Sequence, residues 1–459
     1  MRGRLTRREL LGAGAGAAFA GIGVRGVFEL LDAHATTGAS VQRFVSRPDL
    51  LPPAVTVLRR AAGTANGRLF VAPSSGPGQR GAMIVDDSGE LVWFHPVAHK
   101  AVTDFKVQSF HGQPVLTWWE GKVKHGIGDG EWVVVDPSYR ELTRFGAARG
   151  LPADLHEFVI TPQGTALVTS NELRGHVVGG VVQELALPGG RLLWEWHSLD
   201  HIGVDGTMIK GKPGSRFDYF HINSIDVGAD GNLLVSARNT WAAYKIEKRT
   251  GRVLWRLSGK RSDFTLGKGA RFEWQHDVRH HAGGLVSVFD NAAAPAKEPQ
   301  SRALLLALDE PRMRATLVRA YVHRPEHVLS HYMGNAQVLA NGNILVGWGG
   351  SPFVTEFARE GAIVFDARLP EGGQSYRAFR FAWVGRPKDR PALAVRGGML
   401  YASWNGATEV ASWRVVGGET VARAGFETVV KPPPNERHAA VVALDRSGAP
   451  LGRTAPVAL

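Results

Sequence analysis

Five residues occupy one position relative to a recurring turn glycine. Asp104, His156, His221, His276 and Asn335 each stand seven to ten residues ahead of it, in strings such as DLHEFVITPQG, YFHINSIDVGADG and EWQHDVRHHAGG. Seven residues beyond the same glycines stand Trp119, Asn171, Arg238, Asp290 and Gly349, and Trp404 stands seven beyond a sixth, Gly397. If the segments on either side of each turn run antiparallel, both sets end at one mouth. Arg238 then faces His221, and Asp290 and Asn291 lie near His276. Three histidines at one register in consecutive units is more than the 17 histidines of the chain would give by coincidence. His280, His281, His323, His327 and His331 fall outside the register and read as surface or loop residues.

Two chemistries fit imidazoles and a guanidinium drawn together in this way. Three histidines can hold a transition metal. Glu157 and Asp277 follow two of them directly, so they point to the opposite strand face and are poor co-ligands. Alternatively, the arginine and one histidine bind an oxyanion, a second histidine moves a proton, and a third, if neutral, is a nucleophile. Sulfuryl and phosphoryl transfer both suit that set, since both pass through a loosely bonded, trigonal centre. A nucleotide donor is unsupported: GKPGSR at 211–216 lacks the spacing of a phosphate-binding loop.

The elements that must position these residues repeat. A glycine followed by an apolar strand returns as GRLFVA (67), GQPVLTWW (112), GTALVTSN (164), GNLLVSARN (231), GGLVSVFDN (283), GNILVGWGG (342) and GGMLYASWN (397). Several units continue into a second strand pair around a Gly turn, as in DDSGELVW, LPGGRLLW and KRTGRVLW. Four short strands in about 50 residues is the pattern of a β-propeller blade. The expectation is an all-β protein, a propeller of six or seven four-stranded blades over residues 61–459, with C-terminal strands completing the short first unit. Residues 36–60, rich in proline, read as an extended lead-in.

Composition agrees with a globular chain. Hydrophobic residues make up 44% and charged residues 21%, and no cysteine is present, which excludes disulfides, thiolate metal sites and cysteine nucleophiles. The net charge of +12 is spread without a long basic run, so nucleic acid is not an expected partner. Residues 1–35 carry Arg7-Arg8 ahead of the uncharged stretch Leu10–Val24. They resemble a twin-arginine export signal, read by an export machinery that carries folded cargo. The expected location is extracellular, cell-surface or periplasmic, with association with the cell envelope a further expectation.

The strings DYFHINSID, GNLLVSARNTWAAYKI, GRVLWRLSGKRSDF, FEWQHDVR and GNAQVLANGNILVGWG resemble the arylsulfotransferase family, in its actinobacterial and fungal branch. The resemblance implies a propeller that moves a sulfuryl group from an aryl sulfate to a phenol, with no nucleotide donor and no cofactor or metal. It implies that His276 in WQHD is the transiently sulfated residue. His221 in FHIN and Arg238 in SARN hold and polarise the sulfate, and His156 in LHEF is an acid/base or sulfate-binding group. Asn335, Asn223, Trp274, Trp241 and Asn291 are expected to line the substrate site, the indoles through ring stacking. Phe220, Tyr332 and Trp348 are further candidates for stacking. Two rivals stand beside this reading: a metal-dependent hydrolase or lyase using the histidines, and a propeller that binds a ligand without turning it over.

Overall fold

The computed structural model describes residues 40–212 and 214–459. The twin-arginine-type signal lies outside the described residues, as do residues 36–39 of the lead-in.

The chain between residues 68 and 381 forms six antiparallel four-stranded meanders. Five are continuous in sequence and open on Ala101–Phe110, Ala153–Ile160, Ile222–Val227, His276–His281 and Asn335–Val338. The first is composite. Its strands Arg68–Ser75, Gly81–Val85 and Leu91–Pro96 receive their fourth partner, Gln374–Phe381, from the far end. In the five continuous meanders the repeat glycine sits at the hairpin after the leading strand. Gly112, Gly164, Gly231, Gly283 and Gly342 all have φ between +75° and +85°, a region glycine enters without a Cβ clash. That is why this residue, and not the strand sequence, keeps the period.

Neighbouring meanders are not joined by backbone ladders. They are stitched by side chains that reach the next leading strand. Gln108 receives the Ile160 N–H (2.8 Å) and donates to the Phe158 carbonyl (3.0 Å). Asn223 donates to the Gln275 carbonyl (2.6 Å) and Ser224 accepts from the Val278 N–H (3.1 Å). Asp277 accepts from the Ala336 N–H (3.0 Å). Asn335 both donates to the Ala378 carbonyl (2.8 Å) and accepts its N–H (2.9 Å), which ties the sixth meander to the strand that completes the first. The spaces between sheets are filled by separate apolar clusters, for example Phe70, Trp93, Phe105, Leu116 and Trp118 between the first and second.

The lead-in does more than extend. Thr56–Arg60 pairs antiparallel with Ile363–Arg368 as a fifth, outer strand of the sixth meander. The seventh Gly-strand unit falls outside the six meanders. Its strand Met399–Ser403 pairs with Ala392–Arg396 and Glu427–Val430 in a C-terminal group of small sheets. That group has its own core around Leu400, Trp413 and Val441. It docks on the lead-in through Glu427, which accepts the Ser46 N–H (2.6 Å), and on the first meander through Asn405 and Phe94 (2.9 Å).

Candidate active site

Each of the three expected imidazoles is gripped at Nδ1 by an oxygen two to fifteen residues away. His156 meets Asp154 (2.6 Å), His221 meets Asp218 (2.6 Å), and His276 meets Asn291 (2.7 Å). Gripping Nδ1 turns Nε2 of each ring away from its anchor. The rings of His156 and His221 lie edge to face, with centroids 4.9 Å apart.

The partners differ in charge, and the difference sorts the imidazoles. Asn291 donates its amide to the carbonyls of Ser330 and Met333, both at 2.9 Å, so its own oxygen must face His276. The Met333 N–H points at His276 Nε2 (3.3 Å). Nε2 is therefore the acceptor and Nδ1 carries the hydrogen. Burial, the nearby Arg238 charge and the two other imidazoles drive the His276 pKa well below 6.5, against the weaker pull of Asn291. His276 is thus a neutral imidazole with its lone pair on Nε2. His221 is also lowered, by burial first, with its Asp218 partner pulling the other way. Burial opposes ionisation of Asp154, yet His156, the Gly128 N–H and His221 hold its carboxyl below the usual range.

Arg238 opens a 3-10 turn, Arg238–Thr240, directly after the strand Leu233–Ala237. Its N–H donates to the His221 carbonyl (2.9 Å), which places it across from His221 as the register implies. The guanidinium stacks over Trp274 at 4.7 Å. It donates to the Asn239 side-chain oxygen and the His331 carbonyl, both at 3.2 Å. Neither acceptor is charged. Burial pushes its pKa down to about 10, so it stays cationic at neutral pH with its charge left for an anion.

The backbone bends sharply around this group. Ladder irregularities interrupt the leading strands at Thr103/Lys106, Ile222/Ser224 and His276/Arg279, and opposite Val168/Ser170. His221, Trp241, Trp274, Asp277 and Met333 all have φ between +53° and +63°. Bulges re-aim side chains, and non-glycine residues in this region store strain that surrounding structure must hold.

His156, His221, His276, Arg238 and Trp274 are brought together. Trp241 packs edge-on against Trp274 (5.1 Å) and lies one step further from the imidazoles. Asn291 reaches the site as the anchor of His276. Asn335 does not present its amide to it, since both amide atoms are used on the link between meanders described above; Asn223 spends its amide N–H on the Gln275 carbonyl, and its buried Oδ1 has no partner. Asp104, in the same sequence register as the histidines, is turned by its bulge toward Lys106 and Arg377. Phe220 and Trp348 are fully buried core rings. Sequence reasoning missed Asp154 and Asp218, although the spacings D-x-H and D-x-x-H were there to read. It also missed the loop Ser330–Gly334, which closes over His276. Among the described residues, no group of three or more His, Asp or Glu side chains is placed to hold a metal ion.

A family model described as Arylsulfotransferase (ASST) matches residues 106–369. This is more than half of the chain and includes His156, His221, Arg238, His276 and Asn291. The chain belongs to the arylsulfotransferase family, and the membership supports an arylsulfotransferase function in general terms. No curated protein matches the sequence. Among solved structures the chain is similar to a protein of unknown function from Bacteroides caccae (17% identity, 68% of this chain and 98% of the other, TM-score 0.45). It is also similar to a catalytically inactive virginiamycin B lyase from Staphylococcus aureus with quinupristin (9%, 76% and 96%, 0.38). A third is the periplasmic gluconolactonase of Pseudomonas aeruginosa (13%, 86% and 96%, 0.37).

The buried imidazoles make stability depend on pH. In the unfolded chain they titrate near 6.5, whereas His276 and His221 titrate lower in the fold. Below about 6.5 the unfolded state binds protons that the folded state refuses, so stability falls as pH falls through that window. His276→Asn is expected to flatten the fall in melting temperature between pH 7 and pH 5. An unchanged slope in thermal melts would show that other groups set it.

Proposed function

We propose that the protein transfers a sulfuryl group from an aryl sulfate to a phenolic acceptor, with His276 carrying the group between two half-reactions. The observation that supports this most is the pairing of His276 with Asn291. It supplies a neutral, oriented Nε2 lone pair beside an arginine whose charge is not neutralised by a carboxylate contact.

In the first half-reaction Nε2 attacks sulfur. The S–N bond forms as the bond from sulfur to the aryl oxygen breaks, and the electron pair leaves on that oxygen. Protonated His156, steadied by Asp154, gives its proton to the departing phenolate. Arg238 offsets charge on the three sulfuryl oxygens, joined by His221 in the fraction of molecules where Asp218 keeps that ring protonated. His276 is now an N-sulfoimidazolium, still carrying its Nδ1 hydrogen. Asn291 accepts that hydrogen bond but cannot take the proton, so the group stays a good sulfuryl donor. In the second half-reaction the acceptor phenol enters and His156, now neutral, takes its proton. The phenol oxygen forms the new bond to sulfur, and the S–N electron pair returns to Nε2. Trp274 and Trp241 flank the aryl ring.

The framework proposed for this site is a six-bladed propeller over residues 68–381, its ring closed by Gln374–Phe381, with the C-terminal sheets docked outside it. Export by the twin-arginine-type signal places it, folded, outside the cytoplasmic membrane, at the cell surface or in the periplasm.

Single-turnover mixing of the purified chain with a chromogenic aryl sulfate, in chelator and without acceptor, tests the mechanism. The expected result is one equivalent of phenol released per site and a protein heavier by one SO3 group, mapped to His276. Added phenol then removes the mass and yields the new sulfate ester. Continuous release without acceptor, or no adduct at all, would overturn the two-step route.

A further inference from the structure

Beneath the imidazoles lies a cluster of charge that the group-transfer steps do not use. At its centre is Arg377, whose side chain is fully buried. It comes from the strand Gln374–Phe381 that completes the first meander. Its guanidinium meets Asp104 (2.6 Å), Glu157 (3.1 Å) and Asp277 (3.6 Å), and donates to the Asn223 carbonyl (2.9 Å). Lys106 bonds Asp104 (2.7 Å) and Glu157 (2.6 Å). Arg279 bonds Asp277 (2.6 Å) and Glu157, and donates to the Ile225 carbonyl (2.8 Å). Asp277 also accepts the Ala336 N–H.

Three carboxylates thus balance three cations. The participating backbone comes from the leading strands of five meanders and the closing strand of the first. Such a cluster is costly to desolvate, and apolar residues of similar volume often stabilise a core as well or better. What it supplies here is a fixed geometry next to the site. Glu157 follows His156 and Asp277 follows His276 in the chain, and Asp277 and Asp104 both have φ of +53°. Tyr376, next to Arg377, turns its ring edge to His156 (5.7 Å).

We propose that Arg377 is a positioning residue: by holding Glu157 and Asp277 it fixes the strand bulges from which His156 and His276 reach the substrate. The proposal rests on the sulfuryl-transfer reading for its kinetic test only. Arg380 is the natural control. It is equally buried on the opposite face of the same strand, where it pairs with Asp87 and Glu356. Both arginines brace the closing strand, but only Arg377 touches the cluster beneath the imidazoles.

The charged and titratable groups around these rings are few. His156 faces Asp154, His221 and Tyr376. His276 faces Asn291, Arg238, His156 and His221. Removing the Arg377 charge leaves the cluster one negative charge in excess, which favours imidazolium above it.

The test compares Arg377→Met, Arg377→Lys and Arg380→Met in the full chain. The readouts are turnover per folded molecule with an aryl sulfate and phenol, and histidine titrations by NMR of the ring-labelled protein. Arg377→Met is expected to lower kcat roughly 10- to 100-fold, the effect of small misplacements at a reacting centre, with a smaller change in donor KM. It also moves the acid limb of the kcat profile, and the His276 titration, to higher pH. Arg377→Lys restores the charge and so the acid limb, but a single ammonium cannot span three carboxylates, and kcat recovers only in part. Arg380→Met lowers the melting temperature and leaves kcat and the His276 titration in place.

The proposal is overturned if the Arg377 variants lose only stability, as Arg380→Met does. If Arg377→Met does not fold, Arg377→Lys decides through its kcat alone: a wild-type value overturns the proposal. If the wild-type chain transfers no sulfuryl group, the functional reading fails, and the titrations still decide whether Arg377 positions the histidines.

Discussion

His276→Ala is expected to lower sulfuryl transfer by about 10⁴-fold or more, the scale seen when a covalent nucleophile is removed from a catalytic unit. No sulfated protein should accumulate. The expectation is specific to His276 and follows from the partners of the three rings. A protonated imidazole has no lone pair on Nε2. The two other rings, His156 and His221, are each held by a carboxylate rather than an amide, and a carboxylate can take the Nδ1 proton of a sulfated ring, which leaves a poorer donor than the charged ring. His276 is held by an amide oxygen and surrounded by positive charge, which favours the neutral one. His156→Ala and His221→Ala should therefore lose about 10²- to 10³-fold, in line with removal of a proton donor or an oxyanion contact, and still form the sulfated enzyme. His276 is almost wholly buried, so the alanine variant leaves a small polar cavity against Asn291. A small imidazole added to His276→Gly should fill that cavity and restore part of the transfer. Accumulation of adduct on His276→Ala would move the nucleophile to another side chain.

The sequence carries more of the framework than of the site's fine geometry. The period is legible because each hairpin needs a glycine at positive φ, and that need is local. One opposite partner is legible even beside a bulge: Arg238 does face His221, next to the irregularity at Ile222/Ser224. The bulges are not legible, because they arise from packing several leading strands against one another. One extra residue at Asp104 turns its side chain from the pocket toward the buried cluster. Asn335 stands in the histidine register, yet its amide stitches the sixth meander to Ala378, a contact 43 residues away in sequence. Arg377 escaped notice for the same reason. Its strand lies beyond the last repeat of the six meanders and joins the first, so no local spacing ties it to Glu157 or Asp277. The carboxylate partners were within reach. Asp154 and Asp218 lie two and three residues before their histidines, close enough to have been read as imidazole anchors from the sequence alone.

Asn291→Asp offers the sharper examination of the neutral-imidazole argument, because it changes one atom group and keeps the shape. A carboxylate at this distance from an imidazole favours the protonated ring by roughly 1–3 pKa units when both are poorly solvated. The starting point matters: His276 begins well below 6.5, so it is neutral throughout the physiological range. With Asp at 291 its titration moves upward, and the fraction with a free Nε2 lone pair falls as pH falls through the new value. Activity should fall below the wild type at acid pH and recover toward alkaline pH, so the acid limb of the kcat profile shifts upward by the same amount. A second effect acts on the intermediate. Aspartate can take the Nδ1 proton of the N-sulfoimidazolium, converting it to a neutral N-sulfoimidazole, which is a poorer donor. The sulfated enzyme should therefore persist longer in Asn291→Asp than in the wild type when phenol is added, even at a pH where its formation is fast. Serine at 291 separates the two effects, since it keeps a neutral acceptor and adds no charge: it should lose positioning without moving the acid limb. An Asn291→Asp enzyme with an unshifted acid limb and wild-type desulfation would mean that the field of Arg238 and the buried setting, rather than the choice of amide over carboxylate, keep His276 neutral.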